Sequence, residues 1–479
     1  MGTGPNPQGR ARKVSPSGRG RSTSVVILAA GLGKRMKSPR PKVLHPLCGR
    51  PMIAWVVDQA LAFDPERILL VVGHGGEDVE VALRKTGQHA HVQFVRQEPQ
   101  LGTGHALQCC APKLFPKGQS GDGGRVVVLY GDMPLLRPQS LSELLRAHAD
   151  EAASGAAILT ARPSDPRGFG RILRDDRNAV QGIVEERDAN EQERAIDEVN
   201  LGVYVFDGGG LAQALPLLSK ANEQGEYYLT DVIGTFVEAG RPVVATSVED
   251  EVEAIGVNTL AHLAQAREAL QMRILEQHLE NGVQIEDPRT TTIDHGVTIG
   301  AGTRILPCTV IRSGVEIGAG CEVGPFSQLR AGTVLEDGAE IGNFTECKNS
   351  RVGAHAKAKH LAYLGDATIG AGTNVGAGTI FANYDGVAKH HSSVGKKVFL
   401  GSGTVVVAPN RIGDRATTGA GAVLKKNSDV PAGEVWVGIP ARRLERPVAA
   451  AKRKPAARRK SAARGAKAAR GGRRGGTRP

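Results

Sequence analysis

The chain has 479 residues, which is longer than one ordinary domain, so we expect two or three. Its formal net charge is +12, but residues 1–21 carry five basic side chains, residues 447–479 carry twelve, and neither segment has an acidic one. About −5 is left for the residues between them, so the basicity lies in the ends and not in a nucleic-acid groove. No apolar run reaches the length of a membrane span or resembles a signal peptide, which predicts a soluble, cytoplasmic protein.

Two residue types carry further information. Glycine makes up 62 of the 479 residues, about twice the usual share, and much of the excess lies in a repeat described below. The six cysteines show neither CxxC spacing nor a cluster of histidines around them: Cys48, Cys109, Cys110, Cys308, Cys321 and Cys347. This scatter predicts free thiols in a reducing compartment and argues against a disulfide or zinc framework.

The two basic ends, residues 1–22 and 447–479, cannot bury a core and are predicted to be disordered. The C-terminal end contains no aromatic residue. Two interpretations of it remain open: a solvated tail, or a tail that binds polyanions weakly, without sequence preference and in a salt-sensitive manner.

A buried strand and a glycine-rich loop open the folded part. Residues 24–30 form an apolar run of strand length, typical of a parallel sheet covered on both faces, and residues 31–36 (GLGKRM) follow it directly. Glycines at the carboxyl end of such a strand let backbone amides approach a phosphate, and Lys34 and Arg35 add charge. The third glycine of the dinucleotide fingerprint and the Gly-Lys-Ser/Thr of a P-loop are both missing.

Lys42 follows two prolines in residues 39–45 (PRPKVLH), which stiffen its approach to the loop. Residues 28–36 together with residues 41–44 resemble the sugar-phosphate nucleotidyltransferases. The resemblance implies that Lys42 acts on a phosphate, whereas a lysine without this context is usually just solvated.

Alternating strand and helix patterns predict a doubly wound α/β sheet. Apolar runs at residues 68–72, 92–95 and 126–130 alternate with helix-like stretches at 52–63 and 141–149. Ligands of such sheets bind beyond the carboxyl ends of the strands, where Gln97, residues 100–104 and Gly131-Asp132 lie. A carboxylate there suits Mg²⁺, although a helix cap is the alternative for Asp132.

A six-residue period then runs through the C-terminal half, beyond a helical stretch at residues 259–281. The apolar positions are Ile293, Ile299, Ile305, Ile311, Ile317, Val323, Leu329, Leu335, Ile341 and Cys347, and after a break Val394, Leu400, Val406, Ile412, Thr418 and Leu424. This period fits neither a helix nor a single strand but fits a parallel β-helix with three short strands per coil. The run resembles the left-handed β-helix of the hexapeptide-repeat acyltransferases, which implies trimers with active sites between subunits.

The break between Cys347 and Val394 is where we expect chemistry. A histidine is more often structural than catalytic, which is our interpretation of His390 and His391. His360 differs because it lies in residues 357–366 (KAKHLAYLGD), which resemble an acetyltransferase motif. Acetyl transfer to an amine needs a base, a donor for the oxyanion and cations for a sugar phosphate, and this interval offers all three kinds of group.

The order of the remaining motifs extends the resemblance to residues 24–445. Residues 168–171 (GFGR), 182–186 (GIVEE), 198–202 (EVNLG), 225–231 (GEYYLTD) and 256–258 (GVN) could each be a turn or a cap alone. Together they resemble the bacterial bifunctional N-acetylglucosamine-1-phosphate uridyltransferases and glucosamine-1-phosphate N-acetyltransferases. The resemblance implies a nucleotide and sugar site made of Leu28, Ala29, Ala30, Gly31, Lys42, Gln97, Gly102, Thr103, Tyr130, Gly131, Asp132, Gly170, Glu185, Asn200 and Asn258. Of these, Gly170, Glu185 and Asn200 would hold the amino sugar, and Asp132 and Asn258 would bind Mg²⁺.

The same resemblance assigns the second site. It implies His360 as base, oriented by Asn383, and a sugar-phosphate site of Arg330, Lys348, Tyr363 and Asn374. The acetyl-CoA groove would comprise Ala377, Asn383, Tyr384, Ser402 and Ala420, with Tyr384 and Ser402 at the acyl group. The chain departs from the family at Leu201, where threonine is common, at Ala331, where proline is common, and at Gly438, where an arginine contacts coenzyme A. Arg442 and Arg443 are both open as its substitute.

We therefore predict an α/β chain with a Rossmann-like nucleotidyltransferase domain (23–258), a helical arm (259–282) and a left-handed β-helix acetyltransferase domain (283–446). By resemblance it acetylates glucosamine-1-phosphate with acetyl-CoA, then transfers a uridylyl group from UTP with Mg²⁺ to form UDP-N-acetylglucosamine for peptidoglycan and lipopolysaccharide. A homotrimer is implied. Two alternatives remain open: a β-helix that only trimerises the enzyme, and a sugar-nucleotide sensor or nucleic-acid-tethered scaffold without turnover.

Overall fold

The computed structural model describes residues 22–31, 33–116, 124–151 and 154–444, so both predicted basic tails, apart from Ser22, lie outside the described residues. The N-terminal part contains strands β1 (Thr23–Leu28), β2 (Pro46–Leu47), β3 (Arg50–Pro51), β4 (Arg67–Val72), β5 (Gln93–Arg96), β6 (Arg125–Tyr130), β7 (Ala156–Ala161), β8 (Arg171–Arg174), β9 (Val180–Val184), β10 (Val199–Asp207) and β11 (Val243–Ser247). Its helices are α1 (Met52–Leu61), α2 (Gly76–Lys85), α3 (Thr103–Leu114), α4 (Pro138–Asp150), α5 (Glu191–Arg194), α6 (Gly208–Ala214) and α7 (Asp231–Glu238).

Nine of these strands form one twisted sheet in the order β11-β7-β10-β6-β1-β4-β5, with β8 and β9 attached as a hairpin beside β10. Strands β6, β1, β4 and β5 run parallel, as the apolar runs predicted. Strand β10 is antiparallel to both β6 and β7, so the sheet is mixed and not wholly parallel. The central strands are buried on both faces, because helices cover each side with a separate apolar cluster.

A long helix, α8 (Leu260–Glu280), joins the sheet domain to the β-helix. The side chain of Thr259 accepts a hydrogen bond from the His262 amide and caps its first turn. Ala266 and Leu270 are buried against Leu47 and Met52 of the sheet domain, so these apolar side chains of the helix serve packing. The β2–β3 hairpin also reaches the first coil of the β-helix, where the His295 amide donates to the carbonyl of Cys48 at 2.9 Å.

The C-terminal part consists of short strands in regular succession. They are β12 (Gln284–Ile285), β13 (Thr292–Ile293), β14 (Thr298–Ile299), β15 (Arg304–Ile305), β16 (Val310–Ile311), β17 (Glu316–Ile317), β18 (Glu322–Val323), β19 (Gln328–Leu329), β20 (Val334–Leu335), β21 (Glu340–Asn343), β22 (Glu346–Lys348), β23 (Arg351–Val352), β24 (Lys357–His360), β25 (Tyr363–Gly365), β26 (Ala367–Ile369), β27 (Asn374–Val375), β28 (Ile380–Ala382), β29 (Ser392–Val394), β30 (Phe399–Leu400), β31 (Val405–Val407), β32 (Arg411–Ile412), β33 (Thr417–Thr418), β34 (Val423–Leu424), β35 (Asp429–Val430), β36 (Val435–Val437) and β37 (Arg442–Arg443).

Each strand from β12 to β33 pairs with the strand three later, which produces three parallel sheets and confirms the predicted β-helix. The repeat positions point inward: Leu329, Leu400 and Leu424 are fully buried, and only Ile299 at the first coils is partly exposed. Each coil buries its apolar side chains only against the neighbouring coils, so the core is a continuous column. The last strand, β37, reverses and pairs antiparallel with β36, which closes one sheet.

The interval from Cys347 to Val394 does not interrupt the column, contrary to the apparent break in the sequence. Six further buried positions continue it, two of them after a step of five residues: Val352, Ala358, Leu364, Ile369, Val375 and Phe381. Only residues 383–391 form an inserted loop, because Ile369 pairs with Val394 across 25 positions in place of 18. The sequence hid the continuity because one-residue deletions shift a strict period.

All six cysteines are free thiols, as predicted. Among the described residues, no helix combines the length and apolarity that crossing a membrane requires.

Shortening one inward side chain should destabilise the β-helix. Leu329 is fully buried, so Leu329→Ala removes apolar contacts and leaves a cavity, and we expect a loss of about 2–5 kcal/mol in the free energy of unfolding. The control is Val387→Ala, because Val387 is 92% exposed. Urea unfolding followed by circular dichroism checks this, and equal shifts for the two variants would contradict an inward-packed column.

Candidate functional site

A cavity of about 460 Å³ opens at the carboxyl ends of β1, β5 and β6. Ten residues assigned to the nucleotide site line it: Leu28, Ala29, Ala30, Gly31, Lys42, Gln97, Gly102, Thr103, Tyr130 and Asp132. Gly131 lies against it, since its amide donates to the Leu28 carbonyl and an added Cβ would lie 3.0 Å from that of Ala29. The sheet thus brings together loops that are about 30 to 100 residues apart in sequence.

Lys42 connects the two residues predicted to bind metal. Its ammonium donates to the Asp132 carboxylate and, at 3.1 Å, to Oδ1 of Asn258. The Val257 amide donates to the Asp132 carbonyl at 2.8 Å, which holds residues 257–258 beside the strand end. A side chain at Gly33 would collide with Lys42, because its Cβ would lie 2.8 Å from that of Lys42. Glycine is therefore required for the close approach of the lysine to the loop.

The loop after β5 is held by its own glutamines. Gln97 is buried and donates to the Gly102 carbonyl at 2.8 Å, and Gln100 donates to the Ala30 carbonyl at 2.5 Å. Gly102 adopts φ 104° against the Tyr227 carbonyl, where a Cβ would approach to 2.6 Å. Gln100 was not among the predicted site residues, although it lies in the glycine-containing segment that the sequence singled out.

The three residues predicted to hold the amino sugar also meet. A Cβ at Gly170 would lie 3.4 Å from the carbonyl oxygen of Val184, which precedes Glu185, and 3.7 Å from Cβ of Asn200. The side-chain amide of Asn200 donates to the Tyr204 hydroxyl at 2.7 Å, which orients the asparagine side chain. Tyr204 was missed by the sequence reasoning because nothing local marks a fully buried tyrosine as a support for a neighbouring residue.

Tyr130 is another residue of the predicted nucleotide and sugar site. It lines the nucleotide cavity, and its ring would contact a Cβ at Gly202 at 2.6 Å, so glycine is needed there too. Burial, followed by the charge of Glu185, raises the pKa of Tyr130 well above its usual range. The neutral phenol therefore lines the nucleotide cavity and lies close enough to Glu185 for the charge of that carboxylate to act on it.

Glu185 is a half-buried carboxyl. Burial raises its pKa, a hydrogen bond from the Thr230 hydroxyl at 3.1 Å acts in the opposite direction, and the charges of Asp188 and Asp231 raise the pKa further. A carboxylate held in this way can accept hydrogen bonds from ligand hydroxyls, which would replace the water it has lost.

In the β-helix, the residues predicted to bind the sugar phosphate lie on adjacent coils. Arg330 pairs with Glu346 at 2.6 Å, and Glu346 is opposite Tyr363 in the parallel register. Lys348 lies beside Lys389, whose proximity lowers the pKa of Lys348. Lys389 was missed by the sequence reasoning, because the inserted loop that carries it folds back through a bridge to Tyr384.

A buried carboxylate organises the inserted loop. Asp366 accepts hydrogen bonds from the amides of Asn349, at 2.6 Å, and Asn383. The orienting of His360 by Asn383 therefore stays a prediction, since the Asn383 amide is directed to Asp366. His390 and His391, predicted to be structural, contact Asp385 at 2.5 Å and the Thr368 hydroxyl at 3.0 Å. His360 itself is exposed.

The residues assigned to the acetyl-CoA groove form a ladder. Three of them, Ala377, Ser402 and Ala420, lie on successive coils that backbone hydrogen bonds connect. The Gly403 amide, after Ser402, donates to the Ala377 carbonyl at 2.7 Å, and the Gly421 amide, after Ala420, donates to the Ser402 carbonyl at 2.8 Å. Ala420 thus continues the ladder of Ala377 and Ser402. Gly438 follows one coil later with φ 90°, at the turn of the final hairpin, where an arginine would adopt an unfavourable backbone conformation.

The comparisons with known proteins cover both the sheet domain and the β-helix. A protein-family model of MobA-like NTP transferase domains matches residues 25–198. The bifunctional protein GlmU of Thermobifida fusca is 43% identical over 460 residues, covering 89% of this chain and 94% of that protein. The proteins of the same name from Bordetella parapertussis (44%; 86% and 96%) and Corynebacterium diphtheriae (40%; 87% and 92%) match similarly.

The fold and the two groups of polar residues define a nucleotidyltransferase fused to a left-handed β-helix acyltransferase. The chain belongs to the family of the bifunctional protein GlmU. It is accordingly an enzyme with two activities in UDP-N-acetylglucosamine biosynthesis, a uridyltransferase and a glucosamine-1-phosphate acetyltransferase. The non-catalytic alternatives left open by the sequence are thereby set aside.

Replacing Glu185 should stabilise the protein in a pH-dependent way. Because desolvation raises the pKa of the Glu185 carboxyl, its ionisation costs the folded state stability as the pH rises from the unfolded pKa past the folded one. Glu185→Gln removes that cost, so we expect a Tm about 2 °C or more higher at pH 7.5 and little difference at pH 4.

The control for this variant is Glu77→Gln, because the Glu77 side chain is 84% exposed. Differential scanning calorimetry at the two pH values measures the effect. A Glu185→Gln variant that is less stable at pH 7.5 than at pH 4, relative to the unsubstituted protein, would contradict the inferred burial cost.

Proposed function

We propose that the nucleotidyltransferase site takes UTP and N-acetylglucosamine-1-phosphate, and that the β-helix site takes acetyl-CoA and glucosamine-1-phosphate. The observation that carries the first assignment is the Lys42 ammonium between Asp132 and Asn258 at the edge of the nucleotide cavity. A cation and oxygen donors in this arrangement suit a triphosphate whose charge must be neutralised.

In the uridylyl transfer, a phosphate oxygen of the sugar phosphate attacks the α-phosphorus of UTP, and pyrophosphate leaves. The carboxylate of Asp132 and the amide oxygen of Asn258 fit the donor chemistry that Mg²⁺ prefers, and these residues would hold it. Bound Mg²⁺ would supply charge stabilisation at the phosphates. Lys42 contributes a positive charge, Gly170, Glu185 and Asn200 hold the sugar, and the reaction needs no protein nucleophile.

In the acetyl transfer, the amine of glucosamine-1-phosphate attacks the thioester carbon and passes a proton to the His360 imidazole. Coenzyme A then leaves as a thiolate, which takes up that proton. Arg330, Lys348, Tyr363 and Asn374 bind the phosphate, and the proximity of Lys389 to Lys348 supports adding Lys389 to them. Ala377, Ser402 and Ala420 line the groove, with Tyr384 and Ser402 at the acyl group and Asn383 held by Asp366.

Arg442 is the better of the two candidates for the coenzyme A contact that Gly438 lacks. Arg443 pairs with Glu434 at 3.2 Å, whereas Arg442 is exposed and lies opposite Val437 in the final hairpin. Val437 lies next to Gly419, which precedes the groove residue Ala420. Arg442 is therefore near the end of the ladder that carries the groove.

We also propose that the enzyme is a homotrimer, which acts in the cytoplasm. Phe326, Phe344 and Leu361 form an exposed apolar ridge on successive coils, 52%, 58% and 62% exposed, and the two phenylalanine rings stack at 5.2 Å. Such a ridge favours burial against another copy of the chain. The six free thiols fit a reducing compartment.

Separate substitutions should silence the two activities independently. Lys42→Ala removes the cation at the phosphates, and we expect uridylyl transfer to fall by roughly 10² or more with acetyl transfer unchanged. His360→Ala removes the base, and we expect acetyl transfer to fall by roughly 10² to 10⁴ with uridylyl transfer unchanged. Thiol release and pyrophosphate release are measured separately, each with its own substrates.

His391→Ala is the control for His360→Ala, because the His391 ring hydrogen-bonds to the Thr368 hydroxyl and is not assigned to a substrate. We expect it to keep acetyl transfer. An His360→Ala enzyme with full acetyl transfer would contradict the assignment of the base.

A charge on the exposed ridge should dissociate the trimer. Phe344→Arg places a cation where the stacked rings meet the next copy, so we expect a monomer with acetyl transfer reduced about tenfold or more and uridylyl transfer within twofold. Analytical ultracentrifugation reports the mass. Leu217→Arg, at a leucine that is 68% exposed in the sheet domain, is the control, and a trimeric, fully active Phe344→Arg enzyme would refute the ridge as the interface.

A further inference from the structure

A guanidinium is buried beside the amino-sugar residues. Arg171 is the first residue of β8, its side chain is 1% exposed, and it belongs to none of the groups assigned to substrates. A buried charge is costly unless a partner and hydrogen bonds compensate it, so each of its contacts carries weight.

The contacts of Arg171 reach three separate segments. Nε donates to the Ile196 carbonyl at 3.0 Å, and Nη2 lies 3.5 Å from the Arg194 carbonyl oxygen. Nη1 donates to the Phe169 carbonyl and pairs with the Glu186 carboxylate at 2.8 Å. One side chain thus ties the turn before β8, the chain after β9 and the chain after α5 to each other.

Two of these segments carry the sugar residues. Phe169 precedes Gly170, and Glu186 follows Glu185. The same oxygen of Glu186 that pairs with Arg171 also accepts from the Gly168 amide at 3.2 Å, which fastens the turn from its other end. The Gly170 carbonyl in turn accepts a hydrogen bond from the backbone amide of Asn200 at 2.9 Å. The relative position of Gly170, Glu185 and Asn200 therefore depends on the hydrogen bonds and the ion pair that Arg171 and Glu186 make.

We propose that Arg171 is a positioning residue that sets the geometry of Gly170 against Glu185 and so determines the affinity for the amino sugar. This inference rests on the proposed function of these residues as the sugar site. None of the direct partners of Arg171 lines the nucleotide cavity. Its loss should consequently weaken the binding of the sugar phosphate and leave the binding of UTP as it is.

The test compares Arg171→Met and Arg171→Lys with the unsubstituted enzyme in steady-state uridylyl transfer. For Arg171→Met we expect the KM for N-acetylglucosamine-1-phosphate to rise roughly tenfold, with the KM for UTP within twofold and kcat within threefold. Arg171→Lys keeps the charge but reaches fewer acceptors. Its KM for the sugar phosphate should therefore lie between that of the unsubstituted enzyme and that of Arg171→Met.

Arg174→Met is the matched control. Arg174 lies on the same strand and pairs with the buried Glu198 at 2.8 Å. Its guanidinium also donates to the Asn178 carbonyl, and neither partner belongs to residues 168–170 or is Glu186. It should lower the thermal stability of the sheet domain without a selective change in the KM for the sugar phosphate. This separates loss of an ion pair as such from loss of the positioning of the sugar site.

If Arg171→Met fails to fold, Arg171→Lys and Glu186→Gln decide, since both keep the size of the side chain. Each should raise the KM for the sugar phosphate selectively. Equal increases in both KM values, a fall in kcat alone, or no change in a folded variant would overturn the proposal. If the unsubstituted enzyme releases no pyrophosphate from UTP with N-acetylglucosamine-1-phosphate, the proposed function itself fails, which is a distinct result.

Discussion

Burial of one apolar side chain per short strand is the constraint on which the C-terminal half depends. A strand of two or three residues has almost no stability alone, so each coil exists only because its inward residues pack on those above and below. Leu335, Val352 and Ile369 continue one sheet through successive coils although the spacing between them is 17 and not 18 residues. The column accommodates a spacing that is one residue shorter, because a tight corner can absorb it, and each shortened step still ends on an inward residue.

The same column carries the second proposed site. Residues on the outer surface of successive coils form straight ladders, such as Ala377, Ser402 and Ala420, which suit an elongated cofactor. The only large departure among the described coils is the loop at residues 383–391, and Asp366 ties it to the column through Asn383. The loop therefore presents Tyr384 and Lys389 beside the column.

The sheet domain meets a different requirement, which is to concentrate opposite charges at one edge. Asp132 and Asn258 are 126 positions apart in sequence, and each bonds to the ammonium of Lys42. Without a cation between them, a carboxylate and a phosphate would repel each other. The parallel strands β1 and β6 and the backbone link from Val257 to Asp132 bring these groups together before any ligand arrives.

The sequence predicted the parts whose cause is local. The apolar runs marked β1, β4 and β6, the six-residue period marked the coils, and the glycine loop marked the nucleotide cavity. It did not predict the antiparallel strand β10, the five-residue steps at Val352 and Ile369, or the supporting roles of Tyr204, Asp366 and Arg171. The five-residue steps shift a strict period, and the other features depend on strand pairing and side-chain contacts that no spacing rule encodes. The grouping of Gly170, Glu185 and Asn200 came from family resemblance alone.

The central claim is that one chain carries two working sites that act in succession. The most direct test supplies the unsubstituted protein with glucosamine-1-phosphate, acetyl-CoA, UTP and Mg²⁺, and follows thiol and pyrophosphate release separately. The account predicts both signals, with pyrophosphate release lagging behind thiol release because the acetylated sugar must form first. Pyrophosphate release only when N-acetylglucosamine-1-phosphate is added, without any thiol, would contradict it and would mean that the β-helix of this chain has lost its chemistry.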